Sequence, residues 1–528
     1  MGKGKPYRIS GFSDILMAGI CVLTVYAQLF SLFYRVSALC TALLAALSLV
    51  SLYICRNEIK DDISSFHKLG VLKMIGMALL FLLFAYGTSY GYMHYDSDLY
   101  HAQSIRWIEE YGVIKGLGNL HTRLAYNSSA FALSALFSFA FLGRGSFHVC
   151  QGLIALLVAS KSISVFSKDS FKNPSFGMLP RIVAIYYICN IFDEMVSPAS
   201  DYFVVLTVLY TVICYSDLCD KKVKDPYPYA LLSLLCIIIV SIKISAALIT
   251  LIVVYPAYLL IKEKDVPGII KYILTGIAAL IPYFARNILL SGYLVYPVPS
   301  IDLFDLDYKI PKGLAEYDSI EIQVFGRGHS DVTRYKEPLE DWIFDWFFDL
   351  GIVDRASFLL GIVSLAVLVI VIAAAVIKKR NENLAELVLI ASIDISFAFF
   401  VVTSPNIRYC CVFLYLAPVL TLGFVYFKIV SSQDRAMIYR VALCAFALYR
   451  SVTFAFETAR SATGEYLVCQ QDYGQYEMIS YDLHGVTFYF PEHGDRTGYD
   501  PFPAAPLKAE DIFRGDDIRD GFKDVTHN

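Results

Sequence analysis

The chain has 528 residues, of which 57% are hydrophobic and only 17% charged, with a formal net charge of -4. Soluble domains carry about a quarter charged residues, so the composition excludes an ordinary soluble domain and points to a membrane protein. The near-neutral balance gives no support to nucleic-acid binding, which needs a strongly basic surface. Most of the twelve cysteines lie inside apolar runs (Cys21, Cys40, Cys55, Cys150, Cys189, Cys236, Cys410, Cys411, Cys444) and only Cys469 falls in a long polar stretch. A disulfide or zinc framework needs clustered, spaced cysteines outside the bilayer, so these read as packing residues.

The basic start "MGKGKPYRIS" is followed by an apolar run to about residue 34 with no small-residue cleavage site, which reads as a first span rather than a signal peptide. A bilayer core of about 30 Å needs roughly 20 apolar residues per helix. The predicted spans are then 14–34, 36–55, 70–92, 146–162, 179–193, 201–216, 229–242, 244–262, 268–285, 353–377, 384–403, 409–427 and 437–456. Basic residues of short loops fix the orientation. Lys3, Lys5 and Arg8 place the N-terminus in the cytoplasm, and Arg56, Lys60 and Lys68 follow them. The groups at 168–172, 221–224, 262–264, 378–380 and 428–435 land inside as well only if the short run 128–142 does not cross. The expected fold is an all-α polytopic membrane protein of about thirteen transmembrane helices, with residues 1–456 as the membrane domain and 457–528 as an external C-terminal region. External loops fall at 93–127 and 286–352, and they hold all three tryptophans, Trp107, Trp342 and Trp346, as expected of interfacial anchors.

The first external loop opens with "YDSDLYHAQSIRW", residues 95–107. Leu99, Ala102, Ile105 and Ile108 recur at helical spacing, which leaves His101, Ser104 and Arg106 on other faces, and the glycines of "EEYGVIKGLGNL" stop the helix. Two acids in a first turn complement the helix dipole. A carboxylate at the membrane edge, Asp96 or Asp98, can also take a proton from an alcohol. Alternatively the D-x-D pair of Asp96 and Asp98 can hold a divalent metal that bridges phosphate oxygens. Both readings stay open.

Further along, "DEMVSPASDYF" at 193–203 places Asp201 behind Ser200 at the start of a span, a pattern that ordinary capping also gives. "SIKISAALI" at 241–249 sets Lys243 between two short apolar runs, where an ammonium snorkels or meets an anion such as a lipid phosphate. "ARNILLSGYLVYPVP" puts Arg286 where a span exits, and "SPNIRYCCVF" puts Arg408 at an outer turn. Two arginines at one membrane level fit a bidentate grip on phosphate or pyrophosphate.

The order and sidedness of these motifs resemble the GT-C superfamily of membrane glycosyltransferases, which use polyprenyl-phosphate or polyprenyl-diphosphate sugars. The resemblance covers residues 70–430 and rests on "YDSDLYH", "SPASDYF", "IKISAA", "ARN…SGYLVYP" and "SPNIRY"; it also touches an uncharacterised bacterial family of multi-span proteins. It implies a membrane-embedded sugar transferase of a bacterial inner membrane working on the outer face. Its partners would be a polyprenyl-phosphate-linked sugar, membrane lipid, and a glycan, lipid or protein acceptor. Asp96 or Asp98 would act on the acceptor, Arg408 would bind donor phosphate, and His101, Arg106, Asp201, Lys243 and Arg286 would line the substrate site. Two extra spans precede the acidic loop, where many members have one, and "YNSSAF" stands where the superfamily has a proline pair, which puts acceptor recognition in doubt.

The tail is rich in Tyr, Gly and Pro, and "GVTFYFP" alternates as a strand does. It carries fourteen acids against six Lys and Arg, which argues against anionic-lipid binding. Two other functions compete: a transporter or flippase of an envelope polysaccharide precursor, and a structural protein whose tail binds glycan. A transporter shows internal repeats and charges at mid-span. No clear repeat is present, and the strong charges gather at one interface.

Overall fold

The computed structural model describes residues 9, 11–60, 71–143, 147–377, 382–461, 470–509 and 512–524. Lys3, Lys5, Arg8, Lys68, the basic run 378–380 and Cys469 lie outside the described residues. The chain is mostly helical, as the apolar periodicity predicts. Eight helices among the described residues are long and apolar enough to cross a membrane. They are α1 (Phe12–Ser31), α8 (Ser200–Asp220), the segment Ile244–Glu263, α11 (Val266–Ser291), α14 (Ile352–Ile377), α15 (Leu384–Thr403), α16 (Ile407–Ile429) and α17 (Ser432–Ser461). Shorter helices are α2 (Ala38–Ile54), α3 (Val71–Gly87), α4 (Ala102–Glu110), α5 (Ser129–Phe137), α6 (Cys150–Ser162), α7 (Met178–Asn190) and α9 (Ala230–Ile242). Within Ile244–Glu263 a 3-10 stretch, Ile244–Val253, runs into α10 (Val254–Glu263), and the second outer loop holds α12 (Lys312–Gly326) and α13 (Leu339–Asp349).

The axis of the bundle is α8, where every residue from Asp201 to Ile213 is buried. A helix apolar on all faces has to be surrounded, and α6, α7, α9, α15 and α16 surround it. The run 128–142 forms the nine-residue α5, only about 14 Å long and too short for a bilayer. It is buried against α1, α4 and α9, where Ser241 Oγ donates to Ser129 Oγ at 2.8 Å.

The C-terminal region is built around an antiparallel hairpin, β1 (Met478–Leu483) and β2 (Val486–Pro491). His484 and Gly485 both take positive φ at its two-residue turn, the geometry that matches the twist of paired strands. This region does not stand apart from the membrane domain. Phe488, Phe513 and Phe522 share one apolar cluster with Trp107, Ile114 and Leu117 of the first outer loop.

Two expectations are corrected. The tryptophans do not anchor at the interface: Trp107 is fully buried against Phe502 and Phe522, because the tail packs over its face of α4. Trp342 and Trp346 of α13 turn inward, Trp346 Nε1 donating to Pro405 O at 2.8 Å, while Phe344 and Phe348 face outward. The span ending at 285 continues as α11 to Ser291, where Gly292 (φ 81°) stops it, so Arg286 lies inside a helix and not at its exit.

Replacing Trp107 by Ala should cost about 3–5 kcal/mol, the range for a large core aromatic. Limited proteolysis should then release the C-terminal region from the detergent-solubilised protein; an unchanged digestion pattern would show that the tail is held by other contacts.

Candidate functional site

Four elements bring their ends together at one cavity. Asp96 comes from the loop after α3, Asp201 from the first turn of α8, and Lys243 from the residue between α9 and the 3-10 stretch. Arg408 comes from the first turn of α16. Local chemistry sets each position. Asp201 complements the positive end of α8. Lys243 is extended (φ -155°, ψ 118°), so the helix breaks there and its side chain leaves the helical stack. Asn406 caps α16 by accepting the Arg408 N–H at 3.0 Å. The turn before α16 is seated from outside, since Ser404 Oγ donates to Ile322 O of α12 at 2.9 Å.

Arg408 is the centre of the constellation. Its Nη2 lies 2.9 Å from Asp96 Oδ2, its Nε 3.6 Å from Asp201 Oδ2, and its Nη1 donates to His94 Nε2 at 2.7 Å. Lys243 pairs with the other oxygen of Asp201 and sits 4.6 Å from the centre of the Tyr409 ring. His94 also faces the Asp96 backbone N through its other ring nitrogen, Nδ1, at 3.1 Å. Burial and then the Arg408 charge hold its pKa below the usual histidine range.

The cavity has a volume of about 210 Å³. Its lining combines the charged groups, with Arg123, Tyr126 and Ser128, and apolar side chains, Ile244, Ile322, Phe399 and Phe400. Sites that bind small molecules share this mix of apolar walls and a few placed polar groups.

The other sequence-predicted residues lie elsewhere. Asp98 turns away from the cavity and accepts from Gly474 N at 3.0 Å and Tyr476 Oη at 2.9 Å. Burial pushes its pKa up, and these two donors pull it back. Residues i and i+2 of a helical turn point about 200° apart, so Asp96 and Asp98 diverge. They do not assemble as a metal pair, and no group of three metal-binding side chains forms among the described residues. His101 is buried against Ser97 Oγ at 3.1 Å and the rings of Tyr100 and Phe131. Arg106 donates to Tyr499 O at 2.6 Å, pairs with Asp500, and stacks on Tyr499 and Phe502. Arg286 does not join Arg408. It is buried behind the cavity wall, donating to Asn127 Oδ1 at 2.9 Å and to Ser31.

The sequence reading missed His94, Arg123, Tyr126 and Tyr409. The signal for two of them was adjacency, His94 just before the acidic motif and Tyr409 just after Arg408. Arg123 and Tyr126 lie in the loop beyond the predicted helix, with no motif to single them out.

Fold and site together define a polytopic helical membrane protein with an ionic cluster at the mouth of an amphipathic cavity. Residues 4–415 match the family described as "Domain of unknown function (DUF8201)", and the chain belongs to that family. No curated protein and no solved structure matches the chain.

Burial depresses three histidines outside the spans, His94, His101 and His121, the last to about 4. A depressed histidine binds its proton more weakly folded than unfolded. Its stabilising contribution is therefore present above about pH 6.5 and is lost as pH falls toward the folded value. For His121, parent stability should decline relative to a His121→Gln variant between pH 6.5 and about 4, by at most about 1.4 kcal/mol per pH unit. Parallel stability curves for the two proteins would show that His121 titrates normally.

Proposed function

We propose that the protein is a GT-C-like membrane glycosyltransferase that moves a sugar from a polyprenyl-phosphate donor to an envelope glycan, lipid or protein acceptor. The single observation that carries the reading is the convergence of Asp96, Asp201, Lys243 and Arg408 on a cavity whose remaining lining is largely apolar and aromatic. In this reading the chain makes thirteen crossings of a bacterial inner membrane, with the N-terminus in the cytoplasm and the C-terminus outside.

The chemistry follows from the ion pairs. A donor phosphate takes Arg408 and Lys243 as its partners, exchanging with the carboxylates that hold them in its absence. Asp96 is then relieved of its strongest counter-charge and becomes a better base. It takes the proton of an acceptor hydroxyl as the hydroxyl oxygen bonds to the anomeric carbon, and the polyprenyl phosphate leaves with the electrons of the broken bond. No step needs the D-x-D pair as a metal site. Asp98 has a separate task, holding the tail beside the cavity.

The transporter reading would draw on an ionisable group at mid-span. Asp394 of α15 is such a group, but Ser364 at 3.0 Å and Thr421 at 2.7 Å satisfy it and it does not line the cavity. It ties α14, α15 and α16 together.

Arg408→Ala should weaken binding of polyprenyl phosphate in detergent micelles by about 10- to 100-fold, the loss of one charge-assisted contact of about 1.5–3 kcal/mol. Arg408→Lys should restore only part of it, because an ammonium lacks the planar fork. Equal affinity in all three proteins would remove the donor site. Asp96→Asn should lower sugar transfer by about 10²–10⁴ while polyprenyl phosphate still binds. Full transfer activity in that variant would end the base assignment.

The orientation has its own test. A cysteine replacing Glu382 in a cysteine-free background should escape an impermeant thiol reagent in intact cells with a permeabilised outer membrane. One replacing Glu492 should react. The opposite labelling would invert every assignment of side.

A further inference from the structure

A second cavity lies outside the first, and the C-terminal region forms one of its walls. It has a volume of about 570 Å³, within the usual range for small-molecule sites. The first outer loop and α12 supply the opposite wall. Arg123 lines both cavities, and it stands at their partition with Glu321, which it pairs at 3.3 Å, and Tyr126, which donates to the buried Asp318 at 2.8 Å.

The lining of this outer cleft has two characters. Tyr317 and Leu507 expose apolar surface into it, while three bases, Arg123, Lys508 and Lys523, line it together with four acids, Asp318, Glu321, Asp495 and Asp524. A strongly anionic ligand would meet the four acids, and a cationic one the three bases. A neutral polyhydroxyl ligand satisfies both, because each hydroxyl can donate to a carboxylate and accept from a cation. Its C–H face would lie on the Tyr317 ring, as amphipathic ring contacts favour.

We propose that the outer cleft binds a neutral sugar, and that this sugar is the acceptor or the acceptor's terminal residue. The acceptor role rests on the transferase reading above; the binding of a neutral sugar does not. The clamp on Asp98 acquires a function in this arrangement. With Gln103, whose side chain donates to the carbonyls of Gly498 and Pro501 at 3.1 Å and accepts from Ala504 N at 3.1 Å, it fixes the tail as a wall of the cleft.

The test uses the full chain in detergent and an array of neutral, anionic and amino oligosaccharides, with hits quantified by saturation-transfer NMR. Neutral oligosaccharides should bind, and Tyr317→Ala or Lys508→Ala should weaken them about fivefold or more. Tyr317→Phe should keep binding, which separates loss of the ring from loss of the fold. Absence of any neutral ligand, a preference for charged sugars, or unchanged binding in both Ala variants would overturn the proposal. Neutral-sugar binding by a parent protein that transfers no sugar from a polyprenyl-phosphate donor would sink the transferase reading and leave the cleft assignment standing.

Discussion

The site depends on how the partly buried Arg408 guanidinium is answered. An arginine so placed loses solvation and must be met by opposite charge and acceptors at close range. Asp96, Asp201 and His94 meet it from two separate elements, so one side chain registers the first outer loop and α8 against α16. Lys243 extends the network to the break between α9 and the 3-10 stretch through Asp201. Buried ion networks of this kind add little net stability over an apolar alternative. Their value lies in holding charges in register at a cavity, where an incoming anion can exchange with the carboxylates.

The first outer helix shows how one short stretch serves two masters. Its apolar residues Leu99, Ile105 and Ile108 pack on the membrane domain, while Asp98, Gln103, Arg106 and Glu109 take polar groups of the tail. Glu109 also accepts from Tyr499 at 2.5 Å and faces His148 at 3.2 Å. The helix is therefore covered on every side, and a pattern that looks amphipathic toward water is amphipathic toward a second layer of protein.

That difference explains what could be read in the chain and what could not. Local periodicity marked the helices, the short α5, the strand "VTFYFP" and the break at Lys243, because each is set by neighbours in sequence. The clustering of Asp96, Asp201, Lys243 and Arg408 was legible through sidedness: all four stood at ends of apolar runs on one predicted face. The destinations of Asp98, Arg106 and Trp107 were not, because their partners are roughly 370 to 410 residues away in a tail with no helical pattern. Arg286 was misplaced for a related reason. "ARNILLSG" reads as the end of a span, yet α11 carries on until Gly292 permits the left-handed turn that ends it.

Arg286 also bears on the electrostatics of the cavity. It is buried on neutral partners, Asn127 and Ser31, with no carboxylate within ion-pair distance among the described residues. Asn127 lines the cavity, so this charge stands directly behind its wall. The lining itself carries Arg123, Lys243 and Arg408 against only Asp96 and Asp201. Glu321 offsets Arg123 from the outer side, which leaves Arg286 as the cation without a counter-charge. Among partly buried groups such an excess is screened less than it would be on an open surface. The cavity thus carries an excess of positive charge beside the apolar side chains of Phe399 and Phe400, the combination on which the proposed donor site rests.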